Sequence, residues 1–330
     1  MAPRIVFGVN LNFAKYVYGR KRAVQVVRRQ FGLRHVEMVS DNDFGVAFYL
    51  RSPEAFRAYH WGVADYAVSQ DVRTVGVMTV YRETGAIAHM HPEIRESAYQ
   101  VGLSLIEQAA CYGALYVGAA LFTMNREEAE DPERYQAGFF SSLDVWRRWM
   151  ADARRLGVRK LLVEIAAAYR EGCSTIDETR STIALLDAHH RENPGTTVPV
   201  DLIYDTGHGI SPAENRDDTN RSYRAWFAAF PDRIQAIHLK NTDPEFLETT
   251  HFGTSGGIID PYQVLLAVRD TLTVPEVFVH LEVPGKRGRE IGEKRAIEEH
   301  VESVRRVQEA LGRLGYRQDP ETLVWDPPGP

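Results

Sequence analysis

Four apolar runs in the second half of the sequence each end on a side chain that can bind a metal ion or transfer a proton. These side chains are Glu164, Asp205, His238 and Glu282. Short apolar runs are typical of strands that are buried on both faces of a parallel sheet. Because neighbouring parallel strands of a β/α barrel end at one rim, we expect the four side chains to lie close together there.

Three carboxylates and one imidazole at a common centre favour a bound cation. Buried carboxylates that lie close together repel one another, and at least one of them takes up a proton unless a divalent ion compensates the charge. Oxygen and nitrogen ligands without a thiolate favour Mn, Mg, Co or Zn. The pattern therefore predicts one divalent metal ion held by these four residues.

Each of the four residues also has a purely structural explanation when it is taken alone. Glu164 or Glu282 could pair with an arginine of a neighbouring loop, Asp205 could cap the turn that follows it, and His238 could be a core histidine. Their occurrence on four consecutive strand ends favours the metal site over four separate structural roles.

The elements that must position these residues alternate regularly along the chain. Eight apolar runs are each followed by a segment of helical period, which is the pattern of βα units. The predicted strands are Ile5–Leu11, His35–Val39, Val72–Tyr81, Ala114–Phe122, Lys160–Ala166, Val198–Tyr204, Arg233–Leu239 and Val277–Val283. The predicted helices are Arg20–Phe31, Ser52–Val68, Ser97–Tyr112, Leu143–Leu156, Ile176–Arg191, Arg221–Phe230, Pro261–Leu272 and Glu290–Leu314.

This alternation predicts one α/β domain, a single (β/α)8 TIM barrel over residues 1–316, with residues 317–330 as an exposed C-terminal tail. The length of 330 residues alone would suggest roughly two domains, but no linker or change of composition divides the chain. An open dinucleotide-binding sheet would carry G-x-G-x-x-G after the first strand, where this chain has Gly8–Phe13.

Charge and cysteine usage restrict the class of partner. The chain has 39 Lys and Arg against 45 Asp and Glu, a net charge of −6, which argues against nucleic-acid binding by a basic face. Its two cysteines form no CxxC pair, which favours a reducing, cytoplasmic compartment. No apolar stretch approaches the ~18 residues that a membrane span needs, and the N-terminus does not have the pattern of a signal peptide.

The order Glu, Asp, His, Glu at the ends of strands five to eight resembles that of the xylose-isomerase-like barrels. This superfamily contains sugar isomerases and ketose epimerases, with metal-dependent apurinic endonucleases as relatives. The resemblance extends over nearly the whole chain. The segments Gly8–Lys15, Tyr204–His208 and His238–Asp243 are most similar to sugar-phosphate epimerases that act on erythrulose phosphate.

The resemblance implies a division of roles at the site. In ketose 3-epimerases the two metal-binding glutamates also exchange the proton on opposite faces of the substrate, and a histidine three residues after the aspartate holds the substrate. These positions correspond to Glu164, Glu282 and His208. Epimerisation beside a carbonyl needs a base on one face and an acid on the other, while the metal stabilises the ene-diolate.

Two departures from the 3-epimerase pattern concern the substrate. Arg170 replaces a glutamate and Pro244 replaces an arginine of that family. Because guanidinium binds phosphate in bidentate fashion, Arg170 suggests a phosphorylated ketose, although it could equally be a solvated loop residue. Lys240 is a second candidate for binding the anion, and Asn10 and Asn12 are candidates for binding sugar hydroxyls.

The sequence therefore predicts a divalent-metal-dependent isomerase or epimerase of a ketose, with a short ketose phosphate as the favoured substrate. A metal-dependent lyase of a keto-sugar, either a dehydratase or a C-glycoside-cleaving enzyme, is the alternative on the same site. An abasic-site endonuclease is disfavoured by the net charge and by the lack of recognisable extra ligands. A non-catalytic binding barrel would leave the four aligned residues unexplained. The metal, with manganese among the candidates, and the oligomeric state stay open.

Overall fold

The structure, a computed structural model, describes residues 2–14, 18–40, 45–79, 86–166, 168–208, 217–243, 249–253, 256–283 and 293–329. Eight strands form the barrel, and each corresponds to one of the predicted apolar runs. They are β1 (Arg4–Asn10), β2 (His35–Val39), β3 (Arg73–Met78), β4 (Tyr116–Ala120), β5 (Lys160–Glu164), β6 (Val200–Asp205), β7 (Ile234–Leu239) and, after two short strands, β10 (Glu276–Leu281).

These strands are hydrogen-bonded in chain order from β1 to β7, β10 follows β7, and β10 pairs in parallel with β1. The result is a closed barrel of eight parallel strands surrounded by helices, as the sequence predicts. The strand interiors are buried because they consist mainly of branched and aromatic apolar residues.

The chain also divides into two compact units. One unit consists of Met1–Met38, Tyr66–Arg73 and Ile203–Pro330. In its sheet Gly8 of β1 lies opposite His280 of β10, and His280 lies opposite His238 of β7. The other unit consists of Val39–Asp65 and Thr74–Leu202, and its strands β3, β4 and β5 are parallel neighbours.

The described residues form ten α-helices. They are α1 (Arg20–Arg29), α2 (Gly45–Arg51), α3 (Pro53–Ser69), α4 (Pro92–Tyr112), α5 (Arg126–Glu130), α6 (Pro132–Leu156), α7 (Ile176–Glu192), α8 (Tyr223–Ala229), α9 (Pro261–Thr271) and α10 (Glu293–Arg313). Eight of them coincide with predicted helices, whereas α2 and α5 are additional short helices. None of the helices described is long and apolar enough to cross a membrane.

Helix α6 begins eleven residues before the predicted start at Leu143. Asp131 caps it by accepting hydrogen bonds from the backbone N–H groups of Glu133 and Arg134. Pro132 stands at the first helical position, where it has no hydrogen bond to lose. The first turns are mostly exposed, so the apolar period that predicts a helix starts only where the helix packs on the barrel.

The segment after residue 316 differs from the exposed tail expected from the sequence. Residues Arg317–Gln318 (β11) and Trp325–Asp326 (β12) pair antiparallel to each other, and Trp325 lies opposite Ile5 of β1. Trp325 is only 8% exposed, and Arg4 Nε donates a hydrogen bond of 2.8 Å to Asp326 Oδ1. The indole covers apolar surface, so this part of the segment is packed against the sheet rather than solvated.

A short hairpin follows β7. The sequence pattern does not predict this hairpin. Its strands are Asn241–Thr242 (β8) and Thr249–Thr250 (β9). The side chain of Asn241 donates to the carbonyl oxygen of His251 and accepts from the backbone N–H of Ile259. One amide therefore ties the hairpin to the segment that leads into α9.

Candidate metal centre

Three of the four predicted ligands occupy buried positions at the carboxyl ends of barrel strands. Asp205 is the last residue of β6, His238 is the penultimate residue of β7, and Glu282 directly follows β10. Asp205 and His238 are fully buried and Glu282 is 5% exposed. The alternation of side chains along a strand and the closure of the barrel bring these polar groups to the rim where β/α barrels bind ligands.

One potential ligand atom from each of Glu164, Asp205, His238 and Glu282 lies within 4.8 Å of the others. Glu164 ends β5 and is partly exposed, unlike the other three residues. The structure thus brings together all four residues that the sequence singled out. Among the described residues, this is the one group of histidine, cysteine and acidic side chains that is close enough to share an ion.

Hydrogen bonds orient the carboxylates of the cluster. Asp205 Oδ1 accepts a hydrogen bond of 2.7 Å from the Gly207 backbone N–H, and Glu282 Oε1 accepts one of 3.3 Å from Asn12 Nδ2. The other two oxygens face His238, whose Nδ1 lies 3.4 Å from Glu282 Oε2 and 4.0 Å from Asp205 Oδ2. Asp205 and Glu282 therefore each accept a hydrogen bond with one oxygen and turn the other oxygen toward His238.

The donor set fits a divalent cation. Asp205 is fully buried and its Oδ2 has the ammonium group of Lys240 at 2.6 Å, but one ammonium group does not balance three carboxylates, and a divalent cation would compensate the remaining negative charge. Three carboxylates and an imidazole suit Mn, Mg, Co or Zn. Glu164, Asp205, His238 and Glu282 would hold the ion.

A lysine and a histidine lie beside Asp205. Lys240 Nζ is 2.6 Å from Asp205 Oδ2 and 3.4 Å from Glu282 Oε2, and His208 Nε2 is 3.4 Å from Asp205 Oδ2. Burial opposes ionisation of Asp205, but the neighbouring side chains of His208, Lys240 and His238 outweigh it and hold the pKa of this carboxyl well below its usual range. Asp205 is therefore a carboxylate at neutral pH, as a ligand must be.

A slot beside Asp205 accommodates the Lys240 side chain. A Cβ atom on Gly207 would lie 2.7 Å from Lys240 Cε and 2.5 Å from Thr242 Oγ1. The Lys240 backbone N–H donates to Thr206 Oγ1 over 3.0 Å, and the same hydroxyl donates to the Lys240 carbonyl oxygen over 2.9 Å. A larger residue at position 207 would thus displace the side chain of Lys240 or of Thr242.

The two predicted asparagines are both tied into the protein. Asn10 is fully buried, its Nδ2 donates to Glu37 Oε2 over 2.5 Å, and its Oδ1 accepts from the Asn12 backbone N–H over 2.9 Å. Asn12 is 6% exposed and contacts Glu282 as described above. Asn12 therefore contacts a residue of the cluster directly, whereas Asn10 contacts Glu37, which is not one of the four residues.

Glu37 is a functional candidate that sequence reasoning missed. It lies in the middle of β2, is fully buried, and its Oε2 is 2.9 Å from His238 Nε2. The available signal was an acidic residue inside an apolar, five-residue strand, where a charge is expensive to bury. The metal-ligand candidates taken from the sequence all lie at strand ends, and Glu37 does not.

His280 is a second buried polar residue of the barrel interior. It is fully buried and lies opposite His238 in the strand register. Burial lowers its pKa to about 4, despite the opposing effect of Glu37. His280 is therefore neutral at pH 7.

Arg170, the predicted anion-binding residue, lies outside this group of contacts. It belongs to a short 3-10 helix, Tyr169–Glu171, and its Nη1 donates to the Met124 carbonyl oxygen over 3.4 Å. No ion pair joins its guanidinium to a carboxylate in the part of the chain that the structure describes. Pro244 falls outside the described residues.

Comparison with solved structures extends over nearly the whole chain. A protein from Rhodospirillum rubrum described as a candidate xylose isomerase superposes with a TM-score of 0.81 at 20% identity, covering 92% of this chain and 99% of that one. D-psicose 3-epimerase from Clostridium cellulolyticum gives a TM-score of 0.65 at 15% identity, with 94% and 99% covered. The 3-keto-D-glucoside 4-epimerase of E. coli gives 0.61 at 14% identity, with 91% and 99% covered.

No family model and no curated protein matches the sequence. At these identities the structural similarity establishes the fold alone, a (β/α)8 TIM barrel like those of the three proteins compared.

Proposed function

We propose that this chain, which has the fold of the xylose-isomerase-like barrels, is a divalent-metal-dependent isomerase or epimerase of a ketose. The observation that carries the proposal is the convergence of Glu164, Asp205, His238 and Glu282 at strand ends. The similarity of the fold to ketose epimerases supports the same reaction class. A bound divalent ion would polarise the substrate carbonyl and stabilise the ene-diolate that forms when the neighbouring proton is removed.

The protein's own side chains divide the proton transfer between two faces of the substrate. Glu164 removes or returns the proton on one face of the carbon beside the carbonyl, and Glu282 acts on the other. The hydrogen bond from Asn12 and the contact with Lys240 hold the Glu282 carboxylate in one orientation. His208 and Asn12 bind substrate hydroxyls near the carbonyl.

The proposed substrate is a short ketose phosphate. Lys240 and Arg170 supply positive charge for the phosphate, and guanidinium binds such a group in bidentate fashion. A small-molecule sugar is the proposed partner, with neither nucleic acid nor membrane involved. The cytoplasmic location belongs to the same proposal, and both cysteines are free and buried.

The test combines metal analysis with turnover. Wild-type protein is loaded with Mn²⁺ and incubated in D2O with tetrulose and pentulose phosphates and with the free sugars. We expect incorporation of deuterium beside the carbonyl without loss of any group, and Glu164→Gln and Glu282→Gln should each lower this exchange by at least ~100-fold. Glu107→Gln is the matched control, because Glu107 is a buried carboxylate that pairs with Arg57 instead.

The outcomes separate the reaction classes. Full metal content and full turnover in both Glu164→Gln and Glu282→Gln would disprove the assignment. Release of water or of an aglycone from the substrate would favour the lyase. If Arg170→Gln lowered kcat/KM equally for phosphorylated and free ketoses, Arg170 would have no part in binding phosphate.

A further inference from the structure

Glu37 contacts His238 on the side of the imidazole that faces away from the ligand cluster. Its Oε2 lies 2.9 Å from His238 Nε2, while His238 Nδ1 faces Glu282 Oε2 and Asp205 Oδ2 at 3.4 and 4.0 Å. The imidazole therefore lies between Glu37 on one side and the carboxylates of Glu282 and Asp205 on the other. Its Nε2 faces Glu37, and its Nδ1 faces the ligand cluster.

The contacts of Glu37 determine which nitrogen carries the proton. A carboxylate only accepts hydrogen bonds, so the proton in the contact with His238 sits on Nε2. The same oxygen also accepts a hydrogen bond from Asn10 Nδ2, which fixes the carboxylate in its plane. With its proton on Nε2, a neutral imidazole presents the lone pair of Nδ1 to the cluster, as a metal ligand requires.

The position of Glu37 is one that an apolar residue would normally fill. Glu37 is fully buried and pairs with Asn10 in the register between β1 and β2. Burial of a carboxylate costs several kcal/mol unless partners compensate its charge. Polar partners on β1 and β7 supply that compensation, and the arrangement reaches from Asn10 through Glu37 to the candidate ligand His238.

We propose that Glu37 is a positioning residue that holds His238 as the Nε2–H tautomer and sets the direction of its Nδ1 lone pair toward the metal ion. This inference rests on the proposed metal-dependent function. Carboxylates that accept from the second nitrogen of a ligand histidine raise its basicity, and their removal weakens metal binding by about 10- to 100-fold.

The test measures metal binding directly rather than through turnover. Apo protein is titrated with Co²⁺ by calorimetry, and the visible absorption of bound Co²⁺ is recorded for the wild type, Glu37→Leu, Glu37→Gln and Glu107→Gln. Leucine fills a similar volume but accepts no hydrogen bond, so the Kd should rise about 10- to 100-fold and the Co²⁺ spectrum should change. Glutamine keeps an acceptor oxygen without the charge, so its Kd should rise less, about three- to tenfold.

Glu107→Gln removes a buried carboxylate from an ion pair with Arg57, and it should bind Co²⁺ with the wild-type Kd and spectrum. An unchanged Kd and spectrum in Glu37→Gln would overturn the inference, and this variant decides the matter even if Glu37→Leu fails to fold. A wild-type protein that bound no Co²⁺ would overturn the proposed function together with the inference. Binding that depends on Asp205 but not on Glu37 would overturn the inference alone.

Discussion

Lys240 and Asp205 form a buried ion pair in which Nζ lies 2.6 Å from Oδ2. That oxygen is also the one that Asp205 turns toward His238. The ammonium group and a divalent ion would therefore interact with the same carboxylate. Lys240 reduces the repulsion among the acids of the cluster, but it also places a positive charge beside the position of the metal.

Replacing Lys240 by glutamine should tighten metal binding. Loss of a positive charge a few ångströms from a divalent ion removes a repulsion of order 1 kcal/mol after solvent screening, so we expect the Kd for Co²⁺ to fall about tenfold. Lys160→Gln is the control, because Lys160 forms a comparable pair with Asp201 at 2.9 Å without contacting a ligand. Calorimetry that gave an equal or higher Kd for Lys240→Gln would contradict this expectation.

Replacing Gly207 by alanine should displace the lysine. The added methyl carbon would lie 2.7 Å from Lys240 Cε and 2.5 Å from Thr242 Oγ1, and both distances are too short for non-bonded atoms. We expect kcat/KM for the ketose to fall by at least ~10-fold, with a loss of ~1–3 kcal/mol in the free energy of unfolding.

Gly62→Ala is the control for Gly207→Ala. A Cβ on Gly62 meets no atom within 4 Å, and Gly62 lies inside α3, where alanine is favoured over glycine by ~0.5–1 kcal/mol. This variant should be slightly more stable than the wild type at unchanged kcat/KM. If both glycine variants behaved alike in urea unfolding and in turnover, the close approach of Lys240 to Gly207 would affect neither stability nor activity.

The buried His35 should make stability depend on pH. Burial and the nearby charge of Arg73 lower its pKa to about 4, so between pH 6.5 and 4 the unfolded chain binds a proton at His35 that the folded chain does not. Unfolding is therefore favoured as the pH falls through this window, at a cost of about 3 kcal/mol in the free energy of unfolding.

Urea unfolding of the wild type and of His35→Gln at pH 7, 6, 5 and 4.5 checks this dependence on pH. The wild type should lose stability faster than the variant below pH 6.5, because the variant has no imidazole at position 35 to protonate. Parallel curves for the two proteins would show that His35 does not titrate as described.

The packed C-terminal segment should contribute to stability. Trp325 is 8% exposed and lies beside Ile5 of the first strand, so Trp325→Ala should lower the free energy of unfolding by about 3 kcal/mol. Arg317→Ala, at an exposed position of the same segment, should change it by no more than ~0.5 kcal/mol. Equal unfolding midpoints for the wild type and Trp325→Ala would mean that the indole stabilises nothing.

The barrel and its ligand cluster were accessible from the sequence for one physical reason. Strands buried on both faces read as continuous apolar runs, so a charged residue that ends such a run stands out. Asp205 and Glu164 end their strands, and His238 and Glu282 lie within one residue of a strand end. Closure of the sheet then brings together residues that are far apart in the chain.

Features that depend on tertiary contacts were not accessible. Glu37 and His238 are 201 residues apart, and nothing local in either strand indicates their pairing. The early start of α6 is hidden because its first turns face solvent, and the packing of Trp325 depends on its pairing with Ile5 at the opposite end of the sequence. The anion-binding role of Arg170 was predicted from its type and position, and it stays a prediction.

The side-chain amide of Asn241 joins two segments of the chain that follow β7. By bonding to the carbonyl oxygen of His251 and the backbone N–H of Ile259, it connects β8 with the residue after β9 and with the segment before α9. The backbone three residues after His238 is thus held by a side-chain amide as well as by the pairing of β8 with β9.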